Sequence, residues 1–174
     1  MKKIITLLLL LILPYSMSQK VMAGKRLSLV KKVDSHLSIE NKMLNVFVEH
    51  GVDTLMAKIL VAQASHESGR FKNPLTKRHK NVFSIMHYSK RETLSLGGYG
   101  HAEGRGGYCS YASIDSSSVD MLMYMKFRNI PRTFKSITVY SKFLKKKGYY
   151  EADEKLYAKA VYAHYKRIWL ENKD

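Results

Sequence analysis

The stretch that decides the fold reads Val61-Ala62-Gln63-Ala64-Ser65-His66-Glu67-Ser68-Gly69-Arg70-Phe71, and ten residues later comes Asn81-Val82-Phe83-Ser84-Ile85. It places one carboxylate, Glu67, at the end of an apolar run with helical character, just before Gly69. Glycine commonly follows the last residue of a helix because it adopts a left-handed conformation without steric cost. A helix that ends here would leave the carboxyl group at the rim of a cleft, partly shielded from water.

The residues that precede Glu67 give it a defined helical face. Met56, Leu60, Gln63 and Glu67 are spaced by three or four positions, so they share one side of the helix. Burial beside this stripe, and the partial negative charge of a helix C-terminus, would both raise the pKa of Glu67. A carboxyl group tuned in this way suits general acid catalysis near neutral pH. On this segment alone, a solvated glutamate, or one paired with Arg70 or Lys72, is at least as good an interpretation.

The segments on either side predict a mainly α (α+β) domain. A first helix is expected over Ile39–His50, ended by Gly51, and a second begins after an N-cap at Asp53. Residues 72–112 are rich in glycine and predict an irregular lobe with a small β-hairpin. Three further helices are expected: one opened by a capping box of Ser117 and Asp120 and broken by Pro131, one over Ser136–Lys146, and one over Asp153–Leu170 with Leu156, Ala160, Ala163 and Ile168 inside. A cleft between the helical body and the lobe follows from this order.

The N-terminus reads as a secretory leader. Met1-Lys2-Lys3 is basic, residues 4–14 are almost purely apolar but too short to span a bilayer, and Val21-Met22-Ala23 offers small residues for cleavage. Cleavage after Ser18 is an alternative, and so is an uncleaved anchor. The expected organisation is therefore a leader over residues 1–23, a flexible basic lead-in over 24–38, and one domain over 39–174, secreted, periplasmic or associated with a cell wall.

Charge and cysteine content limit the partners and the chemistry. The formal charge of +16 falls to +13 once Lys2, Lys3 and Lys20 are removed with the leader. Such a chain is attracted to polyanions such as anionic cell-wall polymers, but no nucleic-acid-binding module is present. Cys109 is the only cysteine and is interpreted as small apolar filler rather than a nucleophile. His66-Glu67 lacks the second histidine of a zinc protease because position 70 is arginine, so neither a metal nor another cofactor is expected.

Four motifs in order resemble the glucosaminidase-type peptidoglycan hydrolases, glycoside hydrolase family 73, which have a lysozyme-like fold. The family pattern A-Q-A-x-x-E-S-G is matched by Ala62–Gly69, and N-x-F-G-I-K is matched by Asn81–Met86. The pattern Y-x-S-x-x-x-S-I-x-D-Y corresponds to Tyr111-Ala112-Ser113 with Ser118-Val119-Asp120-Met121, and the last motif to Gly148-Tyr149-Tyr150 with Tyr157-Ala158. The agreement runs from about residue 40 to the C-terminus. Ser84 stands where the family has glycine, Met86 for lysine, Met121 for an aromatic residue, and Arg70 where an aromatic residue is frequent.

The resemblance implies roles for particular residues. Glu67 would protonate the oxygen of the β-1,4 bond after N-acetylglucosamine in peptidoglycan, with a second carboxylate of the lobe activating water. Glu103 is preferred for that role over Glu92, and the acetamido group of the substrate could replace both. Tyr111 resembles the family tyrosine that lies close to the catalytic glutamate and would orient Glu67 or contact the sugar. Substrate contact or support of the cleft floor is expected from four residues, namely Asn81, Phe83, Tyr149 and Tyr150.

The leading hypothesis is therefore a secreted, monomeric peptidoglycan hydrolase that acts on glycan strands. A lytic transglycosylase is the nearest alternative, because it also works with one glutamate in a lysozyme-like fold. A non-catalytic wall-binding or assembly protein that kept the fold is the alternative from another class.

Overall fold

A computed structural model describes residues 38–87, 90–100 and 107–171 of the chain. The predicted leader, the lead-in up to residue 37 and Glu103 lie outside these described residues. The elements are six α-helices, two short strands and a terminal π-helical turn: α1 Ile39–Glu49, α2 Thr54–Glu67, α3 Pro74–His79, β1 Gly98–Tyr99, β2 Tyr108–Cys109, α4 Ile114–Phe127, α5 Ile137–Lys146, α6 Glu154–Lys166 and the turn Arg167–Glu171. The predicted mainly α class is confirmed. Within the described residues, no helix has the length and apolar character needed to cross a bilayer.

Helix α2 is the centre of the core. Its N-cap is Asp53, as predicted, whose carboxylate accepts a hydrogen bond from the backbone N–H of Met56 at 2.9 Å. The sequence suggests one apolar stripe, but the helix is buried on almost every side, from Met56 through Ser65 with the exception of Lys58. A helix that is apolar all round belongs inside a protein rather than on its surface. Helices α1 and α6 both pack against α2, α4 packs against α1, and α5 packs against α6.

The segment between α3 and α4 forms the predicted irregular lobe. Its hairpin is present, with β1 and β2 antiparallel and Gly98 paired with Cys109. Gly107 must be glycine, since a Cβ there would collide with the carbonyl oxygens of Tyr99 and Gly100. The Tyr99 ring stacks on His79 with 3.5 Å between ring centroids, which holds the hairpin against α3. Helix α3 was not predicted, because six residues are too few for a helical period to show in the sequence.

A buried ion pair fastens the lobe to the helical body. Arg91 of the lobe donates hydrogen bonds to both carboxylate oxygens of Asp120 on α4, at 3.1 and 2.6 Å, and both side chains are almost fully buried. The backbone N–H of Leu94 donates to the same carboxylate at 2.9 Å. The capping box predicted for Ser117 and Asp120 is therefore wrong. Helix α4 begins one turn earlier, at an N-cap of Ser113, because that hydroxyl accepts the N–H of Ser116.

The C-terminal helices begin where the sequence predicts. Ser136 caps α5 and Asp153 caps α6. The predicted inner face of the last helix is only partly right, since Ile168 is buried and Ala160 is half-buried. Leu156 is 66% exposed and Ala163 is exposed, while Tyr157 and Val161 are buried. The face that packs on α2 is thus rotated from the predicted one, because tyrosine can be buried when its hydroxyl finds a partner. The π-helical turn follows α6 directly, and Trp169 anchors it through a hydrogen bond from Nε1 to the carbonyl of Lys58 at 3.2 Å.

Candidate active site

Glu67 is the last residue of α2, and local hydrogen bonds end the helix there. The Ser68 hydroxyl donates to the carbonyl of Ala64 at 2.6 Å and accepts the N–H of Phe71 at 3.0 Å. Gly69 has a φ of 57°, as expected for a left-handed cap, and Arg70 and Phe71 follow with φ of 59° and 61°. Left-handed conformations cost non-glycine residues about 1–2 kcal/mol each. Burial of Phe71 and the two Ser68 hydrogen bonds offset this cost and fix the turn beside the carboxylate.

The Glu67 carboxylate lies in a setting that favours its protonated form. Burial raises the pKa of Glu67, while hydrogen bonds from the hydroxyls of Tyr157 and Ser84 act in the opposite direction, and the net result is a raised pKa. The Tyr157 hydroxyl donates to Oε1 at 2.8 Å. The group is therefore protonated at a higher pH than an ordinary glutamate, and its conjugate base is met by two hydroxyl donors.

Three tyrosines surround Glu67 with neutral phenols. Burial, followed by the negative charge of Glu67, raises the pKa of Tyr140, Tyr149 and Tyr157 well above its ordinary value. They stay protonated over the range in which a glutamate titrates. The Tyr140 hydroxyl donates to Oε1 of Gln63 at 2.6 Å, one helical turn before Glu67. These three side chains therefore add no formal charge near Glu67, and of their hydroxyls the one on Tyr157 donates to the carboxylate.

The ring of Tyr157 is held between two other rings. Tyr150 stacks on it with 3.7 Å between centroids and 9° between planes. His66 meets it edge to face at 5.3 Å. These contacts fix the direction of the Tyr157 hydroxyl, so its hydrogen bond orients Glu67.

Tyr111 does not occupy the position expected of it. Its hydroxyl donates to Oδ2 of Asp120 at 2.6 Å, and the side chain is buried beside Arg91 and Cys109. The tyrosine whose hydroxyl is hydrogen-bonded to Glu67 is Tyr157, on α6. Tyr111 thus stabilises the junction between the lobe and the helical body. Tyr157 lies where a residue could orient Glu67, which is the role predicted for Tyr111. The motif that contains Tyr157-Ala158 was the available signal, but the sequence alone does not say which tyrosine faces Glu67.

Asn81 and Phe83 form the floor beneath the site. The Asn81 amide donates to the carbonyl of Ile85 at 2.9 Å and accepts its N–H at 3.1 Å, closing a turn. Phe83 is fully buried, and its ring meets Phe47 at 6.1 Å. Asn81 therefore closes the turn that carries Ser84, and Phe83 fills the core beneath that turn. Direct substrate contact does not fit their side chains, because Asn81 is only 4% exposed and Phe83 is not exposed at all.

Ser84 is the exposed residue of the Asn81 turn and shows why the family motif has glycine there. Its φ is 52°, in the left-handed region. This chain accepts the cost of a side chain at that position and gains a hydroxyl that hydrogen-bonds to Glu67. Sequence reasoning identified the departure but not its consequence for the carboxylate.

Tyr149 and Tyr150 both lie near Glu67, but their hydroxyls are engaged. Tyr149 donates to the carbonyl of Phe83 at 2.6 Å and Tyr150 donates to the carbonyl of Ser141 at 2.8 Å. Both side chains are partly buried. Tyr149 therefore ties the floor turn to the C-terminal helices, and Tyr150 leaves part of its ring accessible beside Tyr157.

None of the contacts to Glu67 described above comes from a second carboxylate. Glu92 is exposed and lines a different cavity of about 530 Å³, together with His50, Phe127 and Arg132. None of the residues that contact Glu67 lines that cavity. Among the described residues there is also no group of three histidine, cysteine or acidic side chains able to hold a metal ion.

Comparison with known proteins gives one family and two structural neighbours. A family model described as mannosyl-glycoprotein endo-beta-N-acetylglucosaminidase matches residues 49–170. No curated protein matches the chain. A chain from a type VI secretion system effector–immunity complex of Pseudomonas protegens is 15% identical with a TM-score of 0.55, over 72% of this chain and 84% of that one. The catalytic domain of the autolysin Auto from Listeria monocytogenes is 16% identical with a TM-score of 0.46, over 79% and 90% respectively.

Proposed function

Because this chain belongs to the mannosyl-glycoprotein endo-beta-N-acetylglucosaminidase family, we propose that it cleaves the β-1,4 bond after N-acetylglucosamine in peptidoglycan with Glu67 as general acid. Membership makes the chain a glycoside hydrolase. The observation that carries the assignment of Glu67 is its position: it ends a buried helix, in a site where burial raises the pKa of the carboxyl group. A group protonated near neutral pH can give its proton to a leaving glycosidic oxygen.

The hydrogen bonds to Glu67 suit both stages of that proton transfer. Before transfer, burial raises the pKa of Glu67 and so favours the protonated carboxyl group. After transfer, the hydroxyls of Tyr157 and Ser84 stabilise the carboxylate that remains. Because these donors are already oriented, little reorganisation is needed as charge develops.

We propose Glu103 of the lobe as the group that activates water, with Glu92 as the alternative carboxylate. If the two carboxyl groups stand roughly 6.5–9.5 Å apart in the substrate complex, water attacks directly and the configuration inverts. Attack by the substrate's own acetamido group would make both lobe carboxylates dispensable. The variants Glu103→Gln and Glu92→Gln are matched in charge, so comparing their rates of wall lysis identifies the base. Loss in Glu103→Gln alone is expected, and equal activity of the two variants would contradict the assignment.

We propose that the enzyme works outside the cytoplasm as a monomer on glycan strands. The basis for secretion is the apolar run over residues 4–14, followed by Val21-Met22-Ala23. Mass spectrometry of the exported protein should give an N-terminus at Gly24, or at Gln19 for the alternative cleavage site. Retention of the complete N-terminus on the exported protein would contradict the proposal that the leader is cleaved.

The decisive experiment is a zymogram with peptidoglycan embedded in the gel, comparing the parent with Glu67→Gln. The variant should not clear the gel and should keep the parent's circular dichroism spectrum. Glu49→Gln, on the exposed end of α1, is the control and should clear normally. Clearing by Glu67→Gln would refute the mechanism, and no clearing by the parent would favour a wall-binding protein that kept the fold. A 1,6-anhydro product in digested wall fragments would show that the reaction is transglycosylation and not hydrolysis.

A further inference from the structure

A second cavity lies beside the C-terminal turn and is lined by basic residues. It has a volume of about 370 Å³ and is formed by Arg70, Ala163, His164, Lys166, Arg167 and Glu171, called here the basic pocket. Arg70, Lys166 and Arg167 carry positive charges, and among the described residues of the lining Glu171 is the one carboxylate. Glu171 forms an ion pair with Lys166 at 3.0 Å, which leaves the two arginines without a carboxylate inside the pocket.

The guanidinium group of Arg167 is held in place from behind the pocket. It donates from an Nη atom to the Ser65 hydroxyl at 3.1 Å and lies 3.8 Å from Glu40 on α1. Ser65 is fully buried on α2. Two residues after Arg167, within the same π-helical turn, Trp169 donates a hydrogen bond to the carbonyl of Lys58 and fixes the turn. This arginine is therefore positioned before any ligand arrives, which lowers the entropic cost of binding.

His164 shares the same serine. The Ser65 oxygen lies 2.8 Å from Nδ1 of His164 and also accepts a hydrogen from Arg167. In the tautomer in which the serine hydroxyl donates to Nδ1, the imidazole's own proton is on Nε2. Burial, together with the positive charges nearby, lowers the pKa of His164, so the ring is neutral near pH 7. The pocket thus has an uncharged N–H donor in addition to its cations.

Arg70 contributes a second guanidinium group to the lining of the basic pocket. Its backbone is fixed in the left-handed turn after α2, where its N–H donates to the carbonyl of Ser65 at 2.7 Å. Its side chain is exposed and, within residues 38–87, 90–100 and 107–171, forms no ion pair or side-chain hydrogen bond. The sequence pattern of the family often has an aromatic residue here, so this positive charge is a departure belonging to this chain.

We propose that the basic pocket binds an oxyanion, either a phosphate or a carboxylate group, with Arg70, Arg167 and His164 as donors. Guanidinium groups bind phosphate and carboxylate through paired, charge-assisted hydrogen bonds. The pocket lies on a different side of α2 from the Glu67 carboxyl group, because Ser65 and Glu67 are two positions apart and so point to nearly opposite sides of the helix. If the enzyme acts on cell walls, as proposed above, the source of the anion is a phosphate-bearing wall polymer or the carboxylate of a muramyl residue.

Nuclear magnetic resonance titration of the Glu67→Gln protein tests this pocket without any turnover. Inorganic phosphate, N-acetylmuramic acid and sodium acetate are added in turn, and the backbone amide signals of Ser65, Arg70 and Arg167 are followed. Saturable shifts at these three positions are expected. Tighter binding of phosphate would assign the source to a phosphate polymer, and tighter binding of N-acetylmuramic acid would assign it to the muramyl carboxylate. Absence of saturation with all three anions would overturn the proposal.

Two further variants separate specific binding from general attraction to a basic protein. Arg70→Ala and Lys142→Ala each remove one positive charge from an exposed side chain, but only Arg70 lines the pocket. Loss of one charge-assisted hydrogen bond should weaken anion binding by about tenfold or more in Arg70→Ala. Lys142→Ala should bind as the parent does, and equal weakening in both variants would refute a defined site. Because the readout is binding, its failure would leave the role of Glu67 untouched, and loss of that role would leave the pocket untouched.

Discussion

Tyr157 and Glu67 are 90 positions apart in the chain, and the tyrosine hydroxyl donates a hydrogen bond of 2.8 Å to Oε1 of the glutamate. The contact joins α6 to the end of α2 at the point where the proposed chemistry takes place. It opposes the effect of burial on the pKa of Glu67. The hydrogen bond therefore limits how far that pKa rises, and it can be removed without changing the shape of the ring.

Replacing Tyr157 with phenylalanine should raise the pKa of Glu67 further. The carboxylate loses one of its two hydroxyl donors, while burial remains. Because a general acid is active when protonated, the alkaline limb of the pH–rate profile should move to higher pH, with a lower maximal rate from poorer orientation. The rate of hydrolysis of purified peptidoglycan, measured from about pH 4 to about pH 9, checks this. Roughly this range covers the titration of glutamates with ordinary or raised pKa values.

Tyr150→Phe is the matched control for that experiment. It removes a neighbouring hydroxyl that donates to the carbonyl of Ser141 and not to Glu67. Its alkaline limb should stay at the parent position. A downward movement of the limb in Tyr157→Phe would contradict the hydrogen-bond assignment.

Glu67→Gln should make the protein more stable near neutral pH while abolishing activity. Since the pKa of Glu67 is raised in the folded state, its contribution to stability is fully present below the unfolded pKa of about 4.3 and is lost as the pH rises through the folded pKa. Glutamine carries no charge to desolvate and can still accept the Tyr157 hydrogen bond. Urea unfolding at pH 7 should show a higher free energy of unfolding for the variant, and the difference should shrink towards pH 4. A variant less stable than the parent at pH 7 would show that the carboxylate is not destabilised by burial.

Asp120→Asn should destabilise the protein by about 3–5 kcal/mol, since it leaves the Arg91 guanidinium buried without its counter-charge. The double variant Arg91→Met with Asp120→Asn should recover much of that loss, because no unpaired charge remains and the asparagine carbonyl can still accept a hydrogen from Tyr111 or Leu94. The free energy of unfolding of the single and double variants gives the coupling directly. Additive losses in the double variant would mean that the two residues act independently.

Ser84→Gly should stabilise the fold and should also raise the pKa of Glu67. Glycine relieves the left-handed backbone at φ 52°, which is worth about 1 kcal/mol or less after the added freedom of the unfolded chain. It also removes the hydroxyl that lowers the pKa of Glu67, so the alkaline limb of the pH–rate profile should move to higher pH. Ser84→Ala separates the effects, because it removes the hydroxyl and keeps the strained backbone. If Ser84→Ala leaves the profile unchanged, the hydroxyl has no influence on Glu67.

The parts of the fold that local chemistry determines could be predicted from the sequence. Asp53, Ser136 and Asp153 are short polar residues before apolar runs, and each caps a helix in the structure. Gly69 ends α2 for a local steric reason. These features depend only on a few neighbouring residues, so a single sequence contains them.

What the sequence could not decide depends on contacts between distant segments. Asp120 has the spacing of a capping residue, but its partner Arg91 lies 29 positions away and turns it into half of a buried ion pair. Leu156 was placed inside by its hydrophobicity, yet Tyr157 is buried instead because Glu67 accepts its hydroxyl hydrogen. In both cases hydrogen-bond satisfaction across the fold outweighs the local pattern.

Burial of α2 on almost every side has a consequence for how this protein can change over time. The helix that carries Glu67 contributes to the core along most of its length, so nearly any substitution that would shift the carboxyl group also costs stability. The lobe is attached to α4 through identifiable points, among them the hydrogen bond from the Val82 N–H to Ser117 and the pair of Arg91 with Asp120. Natural variation and deliberate design can therefore alter the lobe while Glu67 keeps its place. In chimaeras that exchange residues 92–108 between relatives, we expect cleavage preference to change and Glu67 to remain essential.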